Sequence, residues 1–88
     1  MISWDETKRA KNLKVHGIDL AEVGCVFDAP LLTVEDKRGN YGEQRLQSLG
    51  WFRERVVFLV WTERDDRARV ISCRYGDKHE THAYFEAL

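Results

Sequence analysis

The side chains best suited to chemistry crowd the last third of the chain. Arg64, Arg67, Arg69 and Arg74 are followed by Lys78, His79 and Glu80. A guanidinium is planar and always charged, and its fork matches two phosphate oxygens at once. An imidazole has a reference pKa near 6.5, the range for proton transfer at neutral pH. A dense basic set beside a His–Glu pair therefore reads as a surface for RNA. Three histidines with acids nearby also raise a metal site, but His79 and His82 lack a third ligand at recognisable spacing, so no metal is expected.

Each residue has a plainer reading. Arg64 and Arg67 flank Asp65-Asp66 and suit a solvated turn. Arg69 can pair with Glu63 or Glu43 on a sheet surface. Glu80 suits the first turn of a helix, where the helix dipole favours an acid. His16 fits a helix end, where its ring can satisfy backbone carbonyls, and His79 and His82 suit an exposed helix face.

The elements that carry these residues follow from the pattern. Val56 to Trp61 is a continuous apolar run, as in a central strand covered on both faces. Arg55–Thr62 is read as the third strand, Glu63–Arg67 as a hairpin turn and Ala68–Arg74 as the fourth strand. Leu31–Glu35 and Arg45–Leu49 are the first two strands, with a turn over Lys37–Gly42 and a connection over Gly50–Glu54. Ile2 and Trp4 open a short extended piece. A first helix runs from Asp5 to His16 and stops at Gly17, with Lys8, Arg9, Lys11 and Lys14 outward. Asp19 opens a second helix whose stripe is Leu20, Val23, Val26 and Phe27; Asp28 and Pro30 end it. Lys78–Ala87 is a last helix, with Tyr84 and Phe85 free to pack. Two helices, a four-stranded antiparallel meander and a C-terminal helix give an α+β layer fold over one domain, residues 1–88. In an ideal strand Arg69 and Arg74 point to opposite faces. They converge only through a bulge, or if Arg74 lies past the strand end; Gly76 favours the latter.

Bulk composition narrows the classes. The chain has 88 residues, is 33% charged and carries a formal net charge of −1, so a nucleic-acid site must come from local segregation of charge. No apolar run approaches the roughly 20 residues of a membrane span, and the polar N-terminus lacks a signal-peptide core. Cys25 and Cys73 lie in apolar stretches without C-x-x-C spacing, which suggests two buried, reduced thiols in the cytoplasm.

A family resemblance runs along most of the chain. Trp4-Asp5 is followed by Lys8, Asn12-Leu13 and His16-Gly17, a K-x-x-x-N-L-x-x-H-G segment. Val26-Phe27-Asp28-Ala29-Pro30 comes next, then Glu43, Arg45 and Gly50. Thr62-Glu63-Arg64, Arg69 to Arg74, Glu80 and Tyr84 complete the order. The whole resembles the BrnT family of type II toxins, ribonucleases with a RelE-like fold. Cys73 stands where that family usually has Ala, and Tyr75-Gly76-Asp77 departs from its usual small residues and Thr.

The resemblance implies a metal-independent endoribonuclease that cuts mRNA and slows translation, with no cofactor. It implies a BrnA-like antitoxin with a ribbon-helix-helix domain, through which the complex contacts DNA. Under this reading Arg64, Arg69 and Arg74 stabilise the phosphoryl charge, and His79 and Glu80 are the acid–base candidates. Lys8, Arg45, Arg67, Lys78 and Tyr84 are expected to contact RNA. The competing readings are a toxin-like module that only binds a repressor, and an RNA binder that does not cut.

Overall fold

The computed structural model describes residues 1–39 and 42–88. Part of the turn expected over Lys37–Gly42, Asn40 included, lies outside the described residues. The elements are β1 (Ile2–Trp4), α1 (Glu6–His16), a 3₁₀ segment (Leu20–Asp28), β2 (Leu32–Asp36), β3 (Arg45–Phe52), β4 (Arg55–Arg64), β5 (Arg67–Tyr75) and α2 (Lys78–Glu86). Among the described residues the sheet order is β1-β5-β4-β3-β2.

The α+β class holds, and β2 to β5 form the antiparallel meander. The expected arrangement needs three corrections. The extended piece at Ile2–Trp4 is a fifth strand, parallel to β5, so the sheet is mixed. The second helix is a 3₁₀ helix rather than an α-helix. Its fully buried residues Leu20, Val23 and Val26 recur every third position. A helix with three residues per turn stacks such positions in one line. The third correction is at Gly50–Glu54, where β3 runs on to Phe52 and the turn shrinks to Arg53-Glu54, both at positive φ. Asp65-Asp66 makes the second such turn, also with both residues at positive φ. Two central residues of this kind match the twist of a tight hairpin.

The main core lies on one sheet face. Val57, Leu59, Val70 and Cys73 from the strands meet Ile18, Leu20, Val23 and Val26. Gly50 permits that contact: a Cβ there would lie 2.4 Å from Val26 Cγ1. The other face is covered at one end, where α2 sets Tyr84 against Leu49 and Val56. Alternation divides Trp51 from Phe52, so Phe52 joins the core and Trp51 meets Phe85 edge-on. Among the described residues the remainder of this second face has no helix over it, and Arg45, Arg64, Arg67 and Arg69 lie there, while Arg74 lies at the end that α2 covers.

Helix α1 behaves unusually. Asp5 is its N-cap, accepting from the Lys8 N–H, and Gly17 ends it at φ 73°. Its one buried side chain is Asn12; Leu13 and Val15 are exposed. The Asn12 amide accepts from the Cys73 N–H (3.0 Å) and donates to the Cys73 and Ile18 carbonyls (2.9 Å each). β1 pairs with β5 over Ala68–Val70. Beyond that point Asn12 meets the edge of β5 as a further strand would. Arg9 fixes the helix to the next element by a fork onto Asp19, 2.8 and 3.1 Å.

Candidate functional site

The register of β4 and β5 decides where the arginines point. Thr62 pairs with Arg69, Trp61 with Val70, Val60 with Ser72 and Phe58 with Arg74. Ile71 has no partner on β4 in this register, so it is the extra residue of a β-bulge. The bulge reverses the parity of everything after it. Residues opposite each other share a face, so Arg69, Ser72 and Arg74 point the same way as Thr62, Val60 and Phe58. Arg64 pairs with Arg67 and joins them. Arg45 has the parity of Gln47 on β3, which is opposite Val60. Arg45, Arg64, Arg67, Arg69 and Arg74 therefore share the second face. Arg74 lies inside β5 rather than past its end, and the bulge brings it to the side of Arg69.

Same face does not mean same spot. Arg69 and Arg74 lie opposite residues four positions apart on β4, about 13 Å at about 3.3 Å per residue. At the hairpin end, Arg45, Arg64, Arg69 and Lys8 line one cleft of about 180 Å³ with Asp5, Glu43, Val70 and Ile71. Arg64, Arg67 and Arg69 line the adjoining hollow with Ser3 and Asp65. Four cations thus face two carboxylates in the cleft, and Asp5 is occupied in capping α1.

Glu43 organises this group. It accepts from Arg64 Nη2 at 2.8 Å and lies 3.9 Å from Arg45 Nε. The Arg64 hydrogen bond, with the charges of Arg64, Arg45 and Arg69, holds its carboxyl below the ordinary value. The same bond raises Arg64. Glu43 is therefore ionised at neutral pH and fixes the Arg64 guanidinium in the cleft, with Arg45 beside it.

The second group stands at the other end of the face. Arg74 donates to both Glu80 oxygens, 2.8 and 2.9 Å, and stacks over Phe58 at 4.4 Å. Glu80 also accepts from the Asp77 N–H, while Asp77 accepts from the Glu80 N–H; this capping box starts α2. Arg74 first, and Asp77 next, hold the Glu80 carboxyl below its ordinary value. Both oxygens are thus engaged in fixing α2 to the sheet. Lys78 and His79 are exposed in the first turn of that helix. His82 Nε2 lies 3.3 Å from Glu86 Oε1, one turn on. Tyr84 is buried, its hydroxyl donating to the Pro30 carbonyl at 2.8 Å.

The predicted residues thus fall into two groups, with Lys8, Arg45, Arg64, Arg67 and Arg69 at the hairpin end and Arg74, Lys78, His79, Glu80 and Tyr84 at α2. Asn12 was missed as a support, because nothing in the pattern marks a helical Asn as the buried residue. The two cysteines differ: Cys25 is exposed, contrary to expectation, while Cys73 is buried and its thiol is pushed up to about 12. Among the described residues no three His, Cys, Asp or Glu side chains gather as a metal set, and no helix is long and apolar enough to cross a membrane.

Fold and face together define a small α+β domain whose main core lies on one sheet face and whose other face, covered at one end by α2, is lined with arginines. The chain belongs to the BrnT family: the model described as "Ribonuclease toxin, BrnT, of type II toxin-antitoxin system" matches residues 4–80. It is thus a toxin of the ribonuclease class, from a family that works with an antitoxin. A search among curated proteins finds no match to the chain.

Proposed function

We propose that this chain is a RelE-like, metal-independent endoribonuclease that cuts mRNA and stops translation in the cytoplasm. The observation that carries this is the shared cleft of Lys8, Arg45, Arg64 and Arg69, whose arginines fall on one face through the registers of β3 with β4 and β4 with β5. A scissile phosphate in the cleft meets guanidinium forks from two strands. The 2′-oxygen attacks phosphorus, the bond from phosphorus to the 5′-oxygen breaks, and a 2′,3′-cyclic phosphate and a 5′-hydroxyl result. The 2′-OH gives up a proton and the leaving oxygen gains one. Arg64 and Arg69 stabilise the charge that builds on the phosphoryl oxygens between these events. Arg45, Arg67 and Lys8 hold the flanking backbone. His79 is exposed in the first turn of α2, at the other end of the face from the cleft, so water rather than this ring takes and returns the protons there. Arg74 and Glu80 are proposed to act by fixing α2, since each occupies the other.

The partner is proposed to be a BrnA-like ribbon-helix-helix antitoxin, through which the complex reaches DNA. A second reading has a specific observation behind it. Glu43 engages Arg64 and Glu80 engages Arg74, so two of the three expected catalytic arginines carry their own counter-ion. That favours a toxin-like module that only binds its repressor. Purified chain, freed of antitoxin, separates the two when incubated with single-stranded RNA in EDTA. The nuclease reading expects fragments ending in cyclic phosphate, and growth arrest when the chain is induced alone. Intact RNA and normal growth would leave the binding module.

A further inference from the structure

The arginine cleft continues beyond the residues given a role above. A second cleft of about 290 Å³ lies between α1 and the bulged part of β5, lined by Lys8, Lys11, Val15, His16, Ile71 and Ser72, with Asn12 at its base. Lys8 and Ile71 line both clefts, so the two adjoin. The hollow at Arg64, Arg67 and Arg69 adjoins the far side of the arginine cleft. Along the outer side of β5 the sequence of groups is therefore Arg67, then Arg64 with Arg69 and Arg45, then Lys8, Lys11 and His16.

The second cleft differs from the first in charge. No carboxylate lines it. The acids of α1 are used elsewhere: Asp5 caps the helix and Glu6 takes Trp4 and Arg9. Among the described residues, no ion pair to Lys8 or Lys11 is found, and each ammonium can take an external anion. Lys8 and Lys11 are three apart on a helix, which sets their Cβ atoms about 5–6 Å apart. That spacing is close to the step between successive phosphates of an extended single strand. The Ser72 hydroxyl and His16 ring offer further polar contacts, and Val15 and Ile71 offer apolar surface for a base or ribose.

We propose that the α1–β5 cleft is a second binding site for single-stranded RNA, taking the phosphates that flank the cut on one side through Lys8 and Lys11. The proposal rests on the nuclease reading of the arginine cleft, and it makes the footprint longer than the cleaved dinucleotide. Lys14 is on the same helix but does not line the cleft, so it controls for bulk charge.

The test measures fluorescence anisotropy of labelled 2′-O-methyl RNA, which cannot be cut, as a trimer and as a nonamer. Lys11→Gln should weaken the nonamer about two- to fivefold, the effect of one exposed charge pair. It should also reduce the log–log salt slope by about 0.7, one phosphate contact on a single strand. Its trimer affinity, and every affinity of Lys14→Gln, should match wild type. Equal effects of Lys11→Gln and Lys14→Gln on the nonamer overturn the proposal. If Arg64→Gln/Arg69→Gln still weakens both oligomers in that case, only the extended track is lost. If the double variant also binds like wild type, or wild type binds neither oligomer, the nuclease reading falls with it. Lost antitoxin affinity in Lys11→Gln with RNA affinity intact also overturns the proposal, and assigns the cleft to an acidic partner segment.

Discussion

Replacing Asn12 with Ala tests how the site is held. The amide makes three buried hydrogen bonds, two to Cys73 and one to Ile18. Alanine leaves two carbonyls and one N–H without a partner at a buried position. An orphaned buried group costs about 1–3 kcal/mol, so the low end of that range gives about 3 kcal/mol for three. A chain of 88 residues has about 4–13 kcal/mol of stability in total. The substitution therefore removes about a fifth or more of it. At about 4–8 °C per kcal/mol for a domain of this size, Tm should fall by about 12–24 °C. Thermal unfolding followed by far-UV circular dichroism reads this directly. Asn12→Asp keeps the acceptor for the Cys73 N–H but sets oxygen against two carbonyls, and should be no more stable than Asn12→Ala. A Tm within 3 °C of wild type for Asn12→Ala would refute the idea that this side chain completes the β5 edge.

Three further outcomes follow from the same geometry. Gly50→Ala places a Cβ 2.4 Å from Val26 Cγ1 and 3.0 Å from Leu31 Cδ2, so it should cost about 1–3 kcal/mol in urea unfolding. Asp19, Glu43 and Glu80 are held below their ordinary values of 3.8, 4.5 and 4.5, chiefly by Arg9, Arg64 and Arg74. Folded values below unfolded ones mean that their stabilisation is complete above about pH 5 and is lost as pH falls through the folded values. Tm should thus decline on acidification from pH 5 to pH 3, and Glu80→Gln should shallow that decline; an identical slope would remove Arg74–Glu80 from the account. A maleimide at pH 8 should modify Cys25 and leave Cys73 untouched in the native chain, because Cys73 is buried with its thiol raised to about 12. Native labelling that persists in Cys25→Ser would contradict that placement.

Much of the fold was readable because local chemistry and tertiary demand agreed. Asp5 and Gly17 bound α1, and the apolar run at Val56 marked the central strand. The pairing of Ile2–Trp4 with β5 was not readable, since a three-residue strand gains its partner from the far end of the chain, Ile2 opposite Ala68. The 3₁₀ segment carried a three-residue period, yet Phe27 at the seventh step drew the pattern toward an α-helix. The site was half legible. Residue types pointed to phosphate, but parity set Arg69 against Arg74 until the bulge was located. A bulge is fixed by what flanks the strand: here β1 ends at Val70 and Asn12 takes over at Cys73. The Arg74–Glu80 fork was missed for the same reason, because its geometry depends on where α2 returns to the sheet.

The central claim is that guanidiniums at the hairpin end grip the phosphodiester that is cut. The most direct measurement is single-turnover cleavage of single-stranded RNA in EDTA by wild type and by Arg64→Gln/Arg69→Gln, with Tm recorded for both. The account predicts cyclic-phosphate ends from wild type, and a rate at least about 100-fold lower in the double variant at nearly unchanged Tm. Wild-type rates from the double variant would contradict it.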